Sequence, residues 1–177
     1  MSKKSLATVW LDGCSGCHMS FLDMDERILQ LLEKAELVYS PLIDVKTYPE
    51  MVDIALVEGA IGNIEDFHKI RHIREHTRIL VSLGDCAVTS NVPGMRNPFK
   101  KADLLNRAYF ENATTNRQIP DKVIPQILDR EMPVHEAVKV DVFIPGCPPH
   151  ADTIFQAVMD LLDGKTPDLS TRTRFGA

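Results

Sequence analysis

Apolar residues along the chain fall into two alternating patterns. Short, nearly unbroken runs occupy 6–11, 36–39, 53–58, 77–83 and 141–144, and longer stretches with helical spacing lie between them. Runs of this length suit strands covered on both faces, as in a parallel sheet, where no polar side need be shown to water. Phe21, Met24, Ile28, Leu31 and Ala35 predict a helix over 17–35. Ile64, Phe67, Ile70 and Ile73 predict another over 64–76, with Asn63 as its N-cap. A last helix over 151–162 carries Ile154, Phe155, Val158, Leu161 and Leu162 on one side, and Gly164 is its stop.

Alternation of strands and helices predicts an α/β fold with a flavodoxin-like, doubly wound parallel sheet. One domain is expected over 1–164, followed by a polar, extended tail over 165–177. Its irregular part is 91–139, which has prolines at 93, 98, 120, 125 and 133 and helical spacing only over 100–110. Long Pro-bearing stretches in compact domains are usually functional or held by a partner, so a partner contact is expected there.

The 177 residues suffice for one sizeable core, and a hydrophobic share of 44% excludes intrinsic disorder. A net charge of −5 offers no phosphate-neutralising surface, so no nucleic-acid partner is expected. No apolar run reaches transmembrane length, and the N-terminal residues show neither a signal-peptide core nor a twin-arginine motif. The expectation is a cytoplasmic chain without a transmembrane segment, in which thiols stay reduced.

Four cysteines then change the picture. Cys14 and Cys17 follow the first strand, Cys86 the fourth and Cys147 the fifth. Parallel strands joined by crossovers end at one edge of the sheet, where open α/β sheets bind ligands, so these thiols are expected to converge. A thioredoxin-type dithiol would account for Cys14 and Cys17 but leave Cys86 and Cys147 idle. Structural zinc sites usually take two local pairs, whereas here one pair joins two distant singletons. Taken singly, Cys86 or Cys147 could be an inert buried thiol; an iron–sulfur cluster accounts for all four. Gly13, Gly16, Gly84 and Gly146 would let backbone N–H groups approach cluster sulfurs, and Pro148 follows the last ligand as in bacterial ferredoxins. Neither Gly-x-Gly-x-x-Gly after the first strand nor a Walker A sequence is present, so a nucleotide would belong to another chain.

Glu58 ends the third strand and is expected on the same edge. It is either a loop cap or partner contact, or a group near the cluster that relays protons or changes ligation on oxidation. His18 and His150 are read as neighbours of the site or surface residues, since four cysteines fill a cubane. His68, His72 and His76 recur along one helix face, a solvated or interface stripe rather than a metal site.

Segments 10–20 (Trp-Leu-Asp-Gly-Cys-Ser-Gly-Cys-His-Met-Ser), 57–60 (Val-Glu-Gly-Ala), 84–87 (Gly-Asp-Cys-Ala) and 145–149 (Pro-Gly-Cys-Pro-Pro) resemble the small subunit of [NiFe]-hydrogenases, most closely that of the bidirectional, NAD(P)-linked kind. The likeness extends to 21–25 and 91–97 and covers nearly the whole chain apart from its tail. It implies a flavodoxin-like domain with one [4Fe–4S] cluster held by Cys14, Cys17, Cys86 and Cys147, with Glu58 as the matching acidic residue. It further implies a large subunit holding a nickel–iron centre, and diaphorase subunits with FMN, NAD(P) and further iron–sulfur clusters. No cysteines remain for the medial and distal clusters of longer relatives, so electrons would pass directly to another subunit. The runner-up resemblance is the cluster-carrying subunit of a complex I-like quinone reductase, whose first motif has adjacent cysteines where Ser15 and Gly16 intervene here. The small subunit of another cytoplasmic hydrogenase is a further alternative. A stand-alone electron carrier would need a well-closed surface, against which the long Pro-bearing stretch and the cluster-edge loops argue.

Overall fold

A computed structural model describes residues 3–173. Strand β1 (Lys4–Trp10) leads through α1 (Gly16–Leu22) and α2 (Arg27–Lys34) to β2 (Ala35–Tyr39) and β3 (Val52–Glu58). A short β4 (Ile61–Asn63) precedes α3 (Ile64–Glu75) and β5 (Thr77–Leu83). Short helices α4 (Asp85–Thr89), α5 (Asn91–Gly94) and α6 (Lys101–Asn106) follow, the last running into a π-helical turn at Arg107–Glu111. Then come β6 (Ile127–Met132), α7 (Val134–Ala137), β7 (Val142–Ile144) and α8 (Ala151–Leu162).

Five strands form one parallel sheet in the order β2-β1-β3-β5-β7. Ranked along the chain, that is the strand order of flavodoxin-type doubly wound sheets. Central β3 alternates nothing: six of its seven residues are buried, because helices cover both faces. On one face Leu6, Ile54, Leu56, Val81, Leu83 and Ile144 pack with residues of α1, α2 and α8. On the other, Ala7, Val9, Ala55, Val57 and Leu80 pack with α3 and α7. Side chains from successive strand positions therefore feed two cores, as the period of two requires.

Three sequence expectations need correction. The helix expected over 17–35 is two helices: Asp25 takes a left-handed φ of 50°, and Ala35 already belongs to β2. The break lets Met24, 1% exposed, plug the core while the acidic residues around it reach solvent. Segment 91–139 contains more structure than its prolines indicate, because β6 pairs antiparallel with β4. Sequence missed β6 because Ile-Leu-Asp-Arg-Glu-Met carries three consecutive charges, one of which, Glu131, is buried against Arg96. Finally, the tail is not simply extended. Leu169 packs against the core beneath α8, and Thr153 Oγ1 donates to the Arg172 carbonyl at 3.2 Å. Residues 174–177 of that expected tail lie outside the described residues.

The N-cap expected at Asn63 forms: its Oδ1 accepts from the Asp66 N–H at 2.9 Å, satisfying one of the orphan amides at the start of α3. Replacing Asn63 by Ala is expected to cost about 1 kcal/mol, read as a lowered urea midpoint at unchanged m-value, whereas Asp at this position should retain most of the stability.

Candidate metal centre

Strand register sets the geometry. Trp10 pairs with Glu58, Glu58 with Leu83, and Leu83 with Ile144, so the last residues of β1, β3, β5 and β7 form one row. Cys14 lies in the loop after β1, Cys17 in the first turn of α1, Cys86 in the first turn of α4 and Cys147 in the loop after β7, so each follows a strand that ends in that row.

Neighbouring loops are tied to each other beyond the sheet. Asp12 N–H donates to the Ala60 carbonyl at 2.9 Å and Ala60 N–H returns to Asp12 at 2.6 Å, joining the loops after β1 and β3. After β5, Gly84 N–H donates to Ile144 O at 2.8 Å and Asp85 N–H to Gly146 O at 2.9 Å, while Gly146 N–H donates to Asp85 Oδ1 at 2.7 Å. Ser20 Oγ on α1 donates to Pro149 O at 2.5 Å. Gly84 has φ +81°, and a Cβ there would overlap Cys17 Sγ, so only glycine lets the β5 loop meet this thiol.

All four cysteines are free thiols; Cys17 is buried, Cys86 half-buried, Cys14 and Cys147 exposed. They form one electrostatic group. Burial above all raises the Cys17 thiol's pKa, and the charges of Glu58, Cys86 and Cys14 push the same way. Burial pushes Cys86 up to about 11, the Val92 N–H opposes this, and Cys147 and Cys14 add to it. Mutually repelling thiolates in partial burial are a donor set that a soft, positively charged centre would satisfy. N–H groups already face the sulfurs: Gly16 N–H lies 3.4 Å from Cys14 Sγ, and Asn91 Nδ2 lies 3.5 Å from Cys147 Sγ. Among the described residues, no three His, Cys, Asp or Glu side chains close on a single metal ion. Four thiols that share one electrostatic field, with N–H groups directed at two of their sulfurs, are a donor set of the kind that holds an iron–sulfur cluster.

Glu58 is 2% exposed at the end of β3. Burial pushes its carboxyl up to about 7, and the Cys17 thiol and Ser15 N–H directed at it offset part of that rise. His18, also 2% exposed, has its Nδ1 3.9 Å from Glu58 Oε1, too far for a hydrogen bond. Burial, helped by Lys69, pulls His18 down to about 4, so the two are neutral-leaning neighbours rather than an ion pair. Behind them runs a buried polar string: His18 Nε2 is 3.1 Å from Thr8 Oγ1, which is 2.7 Å from Ser40 Oγ.

The remaining histidines have structural places. His150 Nδ1 caps α8 by accepting from the Asp152 N–H. The His72 and His76 rings lie tilted at 40° with centroids 4.2 Å apart at the C-terminal end of α3, and among the described residues they belong to no group placed to hold a metal ion. Of the four glycines expected to free N–H groups for the sulfurs, Gly16 does so, whereas Gly146 N–H is used by Asp85. Sequence reasoning missed Asn91 and Val92 as donors and Asp85 as the clasp between two loops. Asp85 was readable in principle from its place beside Cys86, and Asn91 opens the 91–97 segment of the family likeness, but neither local pattern shows what its side chain meets.

Residues 14–161 match the family model described as NADH ubiquinone oxidoreductase, 20 Kd subunit. The delta subunit of the NAD-reducing hydrogenase HoxS of Cupriavidus necator is 46% identical over 94% of this chain and 82% of its own length. An iron-sulfur subunit of the F420-non-reducing hydrogenase of Archaeoglobus profundus is 32% identical over 92% of this chain, which spans 57% of that protein. A solved NAD+-reducing [NiFe]-hydrogenase in its H2-reduced state contains a chain of the same fold, with a TM-score of 0.94 and 39% identity, covering 98% of this chain and 99% of that one. On these likenesses the chain belongs to the 20 kDa NADH ubiquinone oxidoreductase subunit family, among the small subunits of NAD-reducing [NiFe]-hydrogenases, and is a subunit of an oxidoreductase.

Proposed function

We propose that this chain is the electron-relay small subunit of a cytoplasmic NAD(P)-reducing [NiFe]-hydrogenase, holding one [4Fe–4S] cluster through Cys14, Cys17, Cys86 and Cys147. The observation that carries the reading is the row of strand ends at which four free thiols form one electrostatic group. When bound, such a cluster supplies one-electron transfer, matching the need to pass on the two electrons of H2 singly while NAD+ takes a hydride equivalent and one proton is left over.

The chain's own residues do the positioning. Hydrogen-bonded loops hold the four sulfurs, the N–H groups of Gly16, Val92 and Asn91 offset their negative charge, and Cys17 itself packs with Phe21 in the core. Glu58, largely neutral below pH 7 by virtue of its burial, can hold a proton beside Cys17 without adding charge.

A large subunit with the nickel–iron centre would cover the rim. Exposed Met19, Val92, Met95 and Phe99 supply the apolar area that an obligate interface buries. Segment 91–139 within the single domain 1–164 would share in partner contact, and the electrons would leave to iron–sulfur clusters, FMN and NAD(P) of diaphorase subunits. Among the described residues no helix is long and apolar enough to cross a membrane. The complex I-like reading shares the family model, but Ser15, left-handed at φ 63°, separates Cys14 from Cys17, and the relatives compared are hydrogenase subunits.

Replacing any one of the four cysteines by Ser is expected to lower bound iron and block H2-driven NAD(P) reduction in the anaerobically purified complex; a Cys86 or Cys147 variant with full iron and normal coupled turnover would remove the ligand assignment. Nickel should be found in the complex but not in this chain. Glu58→Gln should keep the iron yet change turnover or oxygen sensitivity, and identical kinetics under H2 and under air exposure would end a functional role for this carboxyl.

A further inference from the structure

Between Ser90 and Asn97 the chain makes a short clip whose two ends do different things. At its start, Ser90 and Asn91 both have positive φ, 66° and 21°, though neither is glycine. Left-handed residues in succession persist only where surrounding contacts over-determine them. Here Ser90 N–H donates to Cys86 O at 3.0 Å and Gly94 N–H to Ser90 O at 2.8 Å. The unusual turn aims the Asn91 side-chain amide at Cys147 Sγ, 3.5 Å away. Cys147 follows β7 whereas the clip follows β5 and α4, so one turn reaches across the rim.

At its far end the clip is fastened to β6. Arg96 Nε donates to Glu131 Oε1 at 2.6 Å, and Arg96 Nη2 to Gly62 O at 3.2 Å. Asn97 and Glu131 exchange a reciprocal pair, with Asn97 Nδ2 donating to Glu131 O at 3.0 Å and Glu131 N–H to Asn97 Oδ1 at 2.7 Å. Glu131 is only 3% exposed, and a Cβ at Gly62 would come within 2.7 Å of its Oε2, so the carboxylate fills space that only glycine leaves open. A buried pair of this kind is poor evidence for stability, but it is a fixed anchor that solvent does not loosen.

We propose that the Ser90–Asn97 clip, anchored through Arg96 and Asn97 to Glu131, holds the Asn91 amide against the sulfur of Cys147 and thereby raises the reduction potential of the cluster which that sulfur helps to hold. The inference rests on the ligand reading given above. A hydrogen bond to a ligand sulfur favours the more negative, reduced cluster, so its loss lowers the potential. Asn91 acts on the ligand sulfur directly; Arg96 and Glu131 are positioning residues.

The test compares the assembled complex, purified anaerobically, as wild type and as Asn91→Gly, Asn91→Asp, Glu131→Ala and Glu131→Gln. Iron content is measured alongside a redox titration followed by electron paramagnetic resonance of this cluster. Gly and Asp both tolerate positive φ and both remove the donor, so neither strains the turn. Both Asn91 variants should keep their iron and shift the reduction equilibrium at least tenfold toward the oxidised form, about 59 mV for one electron. Glu131→Ala should move the potential the same way, with Glu131→Gln, which still accepts from Arg96, returning most of it. An Asn91→Gly/Glu131→Ala double variant should shift little further than the larger single one, since both act through the same contact. Asn91 variants with full iron and an unmoved potential overturn the proposal, and so does loss of iron from both, which would make Asn91 a structural holder. A wild-type complex with no cluster signal from this chain would overturn the ligand reading itself, an outcome separate from the other two.

Discussion

Parallel strands paired in register bring their ends level, and everything at this site follows from that alignment. Trp10, Glu58, Leu83 and Ile144 lie side by side although they come from across the whole chain. Any group placed one short loop beyond that row must meet the others. Loop-to-loop hydrogen bonds between Asp12 and Ala60, and between Gly84, Asp85 and Gly146, then remove the freedom that short loops would retain. What ligand sulfurs need from a protein is little reorganisation, and rigid loops on a covered sheet provide it.

Burial at the rim works in two directions. It disfavours charge on Cys17, Cys86 and Glu58, and it pulls His18 toward its neutral form. A site that resists negative charge on its own thiols gains most from a positively charged metal core, and N–H groups from Gly16, Asn91 and Val92 add dipoles of the favourable sign. Closing the rim with a partner would exclude water and strengthen these interactions together.

Much of this was legible in the chain. Apolar runs marked the five parallel strands to within a residue or two; central β3 and β5 are largely buried, which leaves them little alternative composition, whereas edge strands β2 and β7 are only partly buried. The α8 helix and the Asn63 cap were equally readable, being local in cause. Where tertiary contacts overrode local pattern, sequence reasoning failed. Helical spacing runs through Met24 without interruption, yet the core takes that side chain only if the helix breaks at Asp25. β6 shows consecutive charges, and only the distant Arg96 makes Glu131 tolerable in a buried strand.

Sequence by itself determined the strand–helix alternation, the count of four thiols and their places after strands, because each is written in neighbouring residues. Which loops clasp each other, that the Asn91 amide meets the Cys147 sulfur, and that Glu58 and His18 are buried neighbours were decided only by the folded chain. Those facts depend on pairs far apart in sequence whose meeting is fixed by strand order and register, and no local pattern encodes a distance between residues that the sheet alone brings together.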